Sequence, residues 1–134
     1  MKIILIVLSF LFISCAQREE LILSEETSPI NIINDDIKII SPKFGEVWKS
    51  STTQKIKWQL SNEVKKVQII LFKKEALIDY LAISFPNIGE FNWNIPKNFT
   101  NSIHYRIKII AIDYPRINAL SDYFYIKDDL ENPN

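Results

Sequence analysis

The amino-acid sequence predicts an all-β protein, a small antiparallel β-sandwich that occupies residues 37–127. The composition favours strands, because isoleucine and aromatic residues are frequent and glycine occurs only twice. From Ile37 onward, short apolar runs recur every eight to twelve residues between turn residues, a spacing typical of sandwiches and barrels. No helix is predicted, and a chain of 134 residues has the size of one domain.

Four strands are predicted in the first half of this domain. Pro42 ends the first of them, since proline cannot donate a backbone hydrogen bond, and Gly45 suits the turn that follows. Alternation is clearest at Ile56 and Trp58, which share one face while polar residues occupy the other. The predicted strands are 37–41, 46–48, 54–60 and 64–72.

Four further segments of strand character follow in the second half. Phe91, Trp93 and Ile95 share a face of one strand, which Pro96 stops. In the next strand, alternation assigns Tyr105 and its i+2 neighbours to the core and the side of His104 to solvent. The predicted strands are 77–83, 90–95, 103–112 and 120–126.

Residues 1–14 are predicted to be a lipoprotein signal peptide. Lys2 supplies its positive charge, and the apolar run of about eleven residues that follows is shorter than the ~20 residues of a membrane-spanning helix. The sequence F-I-S-C at residues 12–15 resembles the bacterial lipobox, with Phe12 where leucine is commoner. We therefore expect Cys15, the only cysteine, to be lipidated. An ordinary signal peptide with an incidental cysteine and an uncleaved anchor are the alternatives.

The segments that flank the domain are acidic. Residues 15–36 are expected to form a flexible tether after the lipidated cysteine, and residues 128–134 an acidic tail. Localisation is expected at the bacterial cell envelope, anchored by lipid, with the outer membrane favoured. The acidic pair Glu19-Glu20 resembles signals that send some bacterial lipoproteins to the cell surface. Its simpler interpretation is the start of a solvated linker.

The domain itself is basic. Residues 37–126 carry thirteen lysines and arginines against seven acids, a net charge of +6. Such a charge could attract an anionic envelope polymer. The simpler explanation is that spaced lysines keep the outer faces of the sheets soluble. We expect the membrane as one partner, through the N-terminal lipid, and no nucleic acid; an envelope protein and a polysaccharide both remain open as the other partner.

Catalytic and cofactor chemistry finds little support in the sequence. His104 is the only histidine, which excludes metal sites built on several histidines, and no acid is near it in sequence. No glycine-rich phosphate loop occurs. The aspartate pairs 35–36 and 128–129 match no calcium-binding loop. We expect no enzyme activity, cofactor or metal. The acids of the domain that stand isolated at turns or strand starts are Glu46, Glu90, Asp113 and Asp122.

Five short motifs follow one another along the domain. They are I-x-S-P-x-x-G-E-V-W at 39–48, T-T-Q-x-I-x-W at 52–58, G-x-F-x-W-x-I-P at 89–96, S-x-x-Y-R-I-x-I at 102–109 and S-D-x-F-x-I at 121–126. This series resembles the Ser/Thr-rich GPI-anchored surface-protein domain family, which includes fungal cell-wall proteins linked to β-1,6-glucan assembly. The resemblance implies an immunoglobulin-like or fibronectin-III-like sandwich of about seven strands. It implies packing roles for Trp58, Trp93, Tyr105 and Phe124, and no shared catalytic residue.

Aromatic residues supply the candidate binding surfaces. Phe72 and Tyr80 are predicted on an outer sheet face, and Tyr114, Tyr123 and Tyr125 near the final hairpin. Exposed aromatic side chains beside polar groups hold sugar rings or partner proteins, although residues 30–33 could cover the first pair. We therefore expect a non-catalytic lipoprotein whose single immunoglobulin-like domain serves adhesion or cell-envelope assembly. The alternative is a carbohydrate-binding module for cell-wall or capsular glycan.

Overall fold

The computed structural model describes residues 36–128, and within them nine strands form two sheets without a helix. The strands are β1 (Lys38–Ser41), β2 (Val47–Lys49), β3 (Thr53–Gln59), β4 (Lys66–Lys73), β5 (Ala76–Pro86), β6 (Glu90–Asn94), β7 (Ser102–Ala111), β8 (Asn118–Leu120) and β9 (Phe124–Lys127). The first sheet has the order β1-β3-β6 and the second β2-β9-β7-β4-β5, with β8 also paired to β7. The predicted all-β sandwich is confirmed.

The structure has nine strands instead of the expected seven or so, because the first and the last strand of the sandwich are each divided in two. β1 pairs with β3 in the first sheet, and the chain then crosses at the cis Ser41–Pro42 bond and the following turn to reach the second sheet. There β2 pairs with β9, and this pair is parallel, whereas every other pair among the described strands is antiparallel.

A buried serine divides the last strand, which the alternation had predicted as continuous from 120 to 126. Ser121 is only 3% exposed. Its backbone N–H donates to the carbonyl of Ile107 at 2.7 Å, while the N–H of Ile107 donates to the Ser121 hydroxyl at 2.8 Å. The hydroxyl thus replaces the carbonyl of a regular ladder, and β8 and β9 stay attached to β7 on either side of a short irregular segment.

β5 is longer than the predicted strand 77–83. It extends to Pro86, and Phe85 pairs with Val67 of β4. Proline has no backbone N–H, but at the end of an edge strand no neighbouring strand needs that donor. The Phe85-Pro86 step is therefore compatible with the strand, although the sequence pattern marks it as a turn. Three register shifts interrupt the β4–β5 pair.

The core lies between the two sheets and follows the predicted alternation. Tyr105, Ile107 and Ile109 of β7 are buried, and so are Ile56 and Trp58 of β3. Rings at one end of the core contact one another: Trp48 with Phe124 at 4.7 Å between centroids, and also Trp93, Phe99 and Tyr105. Apolar burial on this scale stabilises the sandwich at roughly 25 cal/mol per Å².

Several expectations concern the chain outside residues 36–128. The signal peptide, Cys15, almost all of the acidic tether with its residues 30–33, and the tail beyond Asp128 lie outside the described residues. They therefore remain predictions. Within the described part, no helix is long and apolar enough to cross a membrane.

Candidate functional site

An apolar cleft of about 450 Å³ opens on the second sheet, where the β1–β2 turn meets β7 and β9. Three of its apolar side chains are more than half exposed: Phe44 at 78%, Val47 at 56% and Ile103 at 60%. Contiguous exposed apolar surface of this kind is typical of interaction sites. The cleft is lined by Phe44, Gly45, Val47, Ile103, His104, Tyr123, Phe124 and Tyr125.

The parallel β2–β9 pair places two of the lining side chains side by side. Val47 is opposite Tyr125, and Trp48 is opposite Ile126. Because successive side chains of a strand point to opposite faces, the buried Trp48 and Ile126 leave Val47 and Tyr125 on the outer face. The register of one strand pair therefore decides that these two residues line the cleft.

A bulge at the start of β7 brings Ile103 into the cleft. Ser102 is opposite Ile126 and Tyr105 is opposite Phe124, so two residues of β7 lie between these pairs where β9 has one. Strict alternation would put Ile103 on the same side as the buried Tyr105. The extra residue instead lets both Ile103 and His104 line the cleft.

The carboxylate of Glu46 fixes the turn that presents Phe44. It accepts hydrogen bonds from the Lys43 N–H at 2.9 Å, the Ser41 hydroxyl at 3.1 Å and the Trp48 indole N–H at 3.0 Å. This acid, isolated in the sequence, therefore caps the turn in the structure. Gly45, at a φ of +74°, donates its N–H to the Tyr123 carbonyl at 3.0 Å and so joins the turn to the opposite wall.

Cationic and aromatic groups hold Tyr123 in place. The guanidinium of Arg106 lies 4.8 Å from the centre of the Tyr123 ring, within cation–π range. The ring of His104 meets Tyr123 edge-on, with 5.7 Å between centroids. Arg106 also donates from Nε to the Ser121 carbonyl at 2.7 Å, so the segment that divides the last strand orients this cation.

The predicted aromatic residues fall in three places. Tyr123 and Tyr125 line the cleft together, both half-buried. Phe72 lies on β4, opposite Arg106 of β7 and one strand away from the cleft. Tyr80 lies further out, on the edge strand β5, opposite Ile70 of β4. Tyr114 is exposed in the loop after β7, at the other end of that strand.

Sequence reasoning missed the three apolar residues Phe44, Val47 and Ile103. Val47 alternates with Trp48, so its outward position could have been recognised from the pattern. Phe44 precedes Gly45 in a segment that the sequence marks only as a turn. Nothing in the local sequence signals the bulge that turns Ile103 outward, because it arises from pairing with β9.

A second depression, of about 490 Å³, lies near the β3–β4 and β5–β6 connections. Asn87 accepts the Trp58 indole N–H at 2.8 Å and donates to the carbonyls of Ser61 at 3.0 Å and Val64 at 2.9 Å. All of these bonds join chain segments to one another. The polar groups of Asn87 therefore have a structural role.

The described residues contain no group of three or more histidine, cysteine, aspartate or glutamate side chains that could hold a metal ion. The carboxylate of Glu46 is engaged by its three donors, and Glu90 forms an ion pair with Lys55 at 3.3 Å. The cleft presents a shaped apolar surface with a cation, Arg106, at one side. Such a surface is suited to binding.

The two-sheet sandwich is that of an immunoglobulin-like domain, a class that generally acts by binding rather than by catalysis. Residues 41–126 match the family model described as the Kre9/KNH-like N-terminal Ig-like domain. The chain belongs to this family, which confirms the resemblance carried by the five motifs.

Among solved structures, the chain is similar to one described as the fibronectin(III)-like modules of Clostridium thermocellum CbhA. The identity is 21%, the match covers 69% of this chain and 94% of that one, and the TM-score is 0.42. A comparison with curated proteins finds none that matches.

Proposed function

We propose that this protein is a lipid-anchored lipoprotein of the bacterial cell envelope, which displays one immunoglobulin-like domain as a non-catalytic binding module for adhesion or envelope assembly. The observation that carries the binding role is the apolar cleft between the β1–β2 turn, β7 and β9. The anchor rests on the sequence around Cys15, outside the described residues.

The cleft has the energetic character of a docking site. Burying a valine, isoleucine or phenylalanine side chain completely is worth about 1.5–3 kcal/mol, and Phe44, Val47 and Ile103 keep more than half of their surface exposed. A partner that covered them would gain on the order of 1–2 kcal/mol from each. This gain is sufficient to make the cleft the centre of a small interface.

A protein partner fits the cleft better than a neutral glycan does. Sugar binding needs several polar groups around an open aromatic face, whereas this lining is almost entirely apolar. The ring of Tyr123, which would be a candidate platform, already packs against Arg106 and His104. The carbohydrate-binding alternative is accordingly second, and saturable binding to a glycan array would revive it.

The binding role is tested by photo-crosslinking in intact cells. A photoreactive amino acid replaces Val47 in the cleft or, as the matched control, Lys57, which is exposed on the first sheet. We expect adducts at position 47 and none, or different ones, at position 57. Equal patterns at the two positions would contradict a role for the cleft.

The anchor is tested by labelling cells with radioactive palmitate. Each buried methylene of an acyl chain contributes about 0.8 kcal/mol, so two or three chains on Cys15 would hold the protein durably at a membrane. We expect the Cys15→Ala variant to lose both the label and its sedimentation with membranes. Persistence of the label in that variant would exclude lipidation at Cys15.

A further inference from the structure

We propose that the cleft takes an acidic protein segment carrying an apolar anchor residue, and that Lys49, Arg106 and Lys127 recognise the charge of that segment. This inference rests on the proposed binding function and names the chemistry of the partner. The anchor fills the space between Phe44, Val47, Ile103 and Tyr125, and the acids flank it.

Cations border the apolar lining on two sides. On β2 and β9, Lys49 and Lys127 follow Val47 and Tyr125 by two residues, so they share the outer face at a distance of about 7 Å along each strand. On β7, Arg106 stands beside Tyr123. A segment lying across the cleft would therefore meet positive charge at either end.

Two of these cations are placed unfavourably in the domain itself. Lys49 and Lys127 are directly opposite each other in the β2–β9 pair, and like charges at such positions repel. The one ion pair within residues 36–128 joins Lys55 to Glu90, on the first sheet. A partner carboxylate between the two lysines would remove this repulsion, which gives an acidic ligand an advantage over a neutral one.

Among residues 36–128, no acid forms an ion pair with Lys49, Arg106 or Lys127. Glu46 directs its carboxylate to Ser41, Lys43 and Trp48 within the turn. Asp122 precedes Tyr123 and is exposed, and Asp128 is bonded to Ser50 at the end of β9. The excess positive charge disfavours a second copy of this domain as the occupant, and an anionic polysaccharide lacks the apolar group that the lining requires.

Synthetic peptides test the proposal with the full-length protein in detergent micelles. The probe is fluorescein-labelled Gly-Glu-Glu-Leu-Phe-Glu-Glu-Gly; one control peptide has lysine for each glutamate, and another has serine for Leu-Phe. Fluorescence anisotropy is measured across a concentration series at low and at high salt. We expect saturable binding of the probe, weakened by salt, and at least about tenfold weaker binding of both controls.

Charge reversal locates the recognition. Lys49→Glu and Lys127→Glu should each weaken binding of the probe about twofold to fivefold, the upper part of the range expected for exposed ion pairs. Lys57→Glu makes the same charge change on the other sheet and should leave binding unchanged. Equal binding of the lysine peptide, no binding of the probe, or equal effects of Lys49→Glu and Lys57→Glu would overturn the proposal.

Failure of this inference can be told apart from failure of the binding function. Photo-crosslinking at position 47 does not depend on the charge of the partner. Adducts to a protein segment without acids, to residues 36–128 of another copy of this chain or to a glycan would overturn the acidic partner while leaving the cleft as a binding site. An adduct to an apolar residue flanked by acids supports the proposal, and the absence of any adduct specific to position 47 removes both.

Discussion

Replacing Ser121 by alanine should destabilise the domain, chiefly because it leaves one buried backbone donor without an acceptor. The Ser121 hydroxyl accepts from the N–H of Ile107 at 2.8 Å and donates to the Asp122 carbonyl at 2.8 Å. Ile107 is fully buried, so alanine leaves its N–H without an acceptor in the middle of the sheet. An unsatisfied buried donor costs about 1–3 kcal/mol, and the oxygen that is removed is small. We therefore expect Ser121→Ala to lower the free energy of unfolding by about 2 kcal/mol.

Urea and thermal denaturation of the full chain measure this loss. For a domain of this size, about 2 kcal/mol corresponds to a decrease in Tm of roughly 8–16 °C and, in urea, to a shift of the midpoint by about 1 M. Ser84→Ala is the matched control, because Ser84 is exposed on β5 and should change stability by less than about 0.5 kcal/mol. An equally small effect of Ser121→Ala would refute the structural role given to its hydroxyl.

Two further stability predictions concern a phenol and two glycines. Burial raises the pKa of the Tyr105 phenol, so the folded state binds this proton more tightly than the unfolded chain does. The free energy of unfolding therefore keeps its full value below about pH 10 and falls as the pH rises above it. Tyr105→Phe should reduce the decline of Tm above that pH. Gly89→Ala should cost about 2 kcal/mol, because φ is +83° and a Cβ would lie 3.2 Å from the Trp58 carbonyl oxygen. Gly45→Ala, at a φ of +74° with no atom within 4 Å, should cost about 1 kcal/mol.

Each of these has its own control. Tyr80→Phe removes an exposed phenol and should leave the alkaline decline of Tm unchanged, so an equal effect of Tyr80→Phe and Tyr105→Phe would contradict the role of burial. The two glycine variants control for each other, since both place a side chain at positive φ. Equal losses would mean that the contact with the Trp58 carbonyl has no energetic consequence.

Much of the interior of the sandwich could be predicted from the sequence. The period-two alternation around Ile56, Trp58 and Tyr105 is a local property of the chain, and burial follows it directly. Errors occurred where pairing between distant strands overrode the local pattern. Ser121 interrupts a strand that its neighbours favour, and Phe85 continues a strand although the Phe85-Pro86 step is a turn signal.

The candidate site could be predicted only in part, for the same reason. Tyr123 and Tyr125 were recognised as surface aromatics, yet their chemistry depends on what lies opposite them. Val47 reaches Tyr125 through a parallel pair, and Ile103 reaches the cleft through a bulge. Neither relation leaves a mark in the sequence near these residues.

By itself, the sequence determined the fold class, the family and the composition of the core, because periodicity and turn residues act over a few positions of the chain. It also supports the prediction of a lipid anchor at Cys15. Only the tertiary structure decided that the β1–β2 turn, the bulge of β7 and the start of β9 enclose one apolar cleft beside Lys49, Lys127 and Arg106. The reason is that strand register, which spans dozens of residues, determines which side chains meet on an outer face.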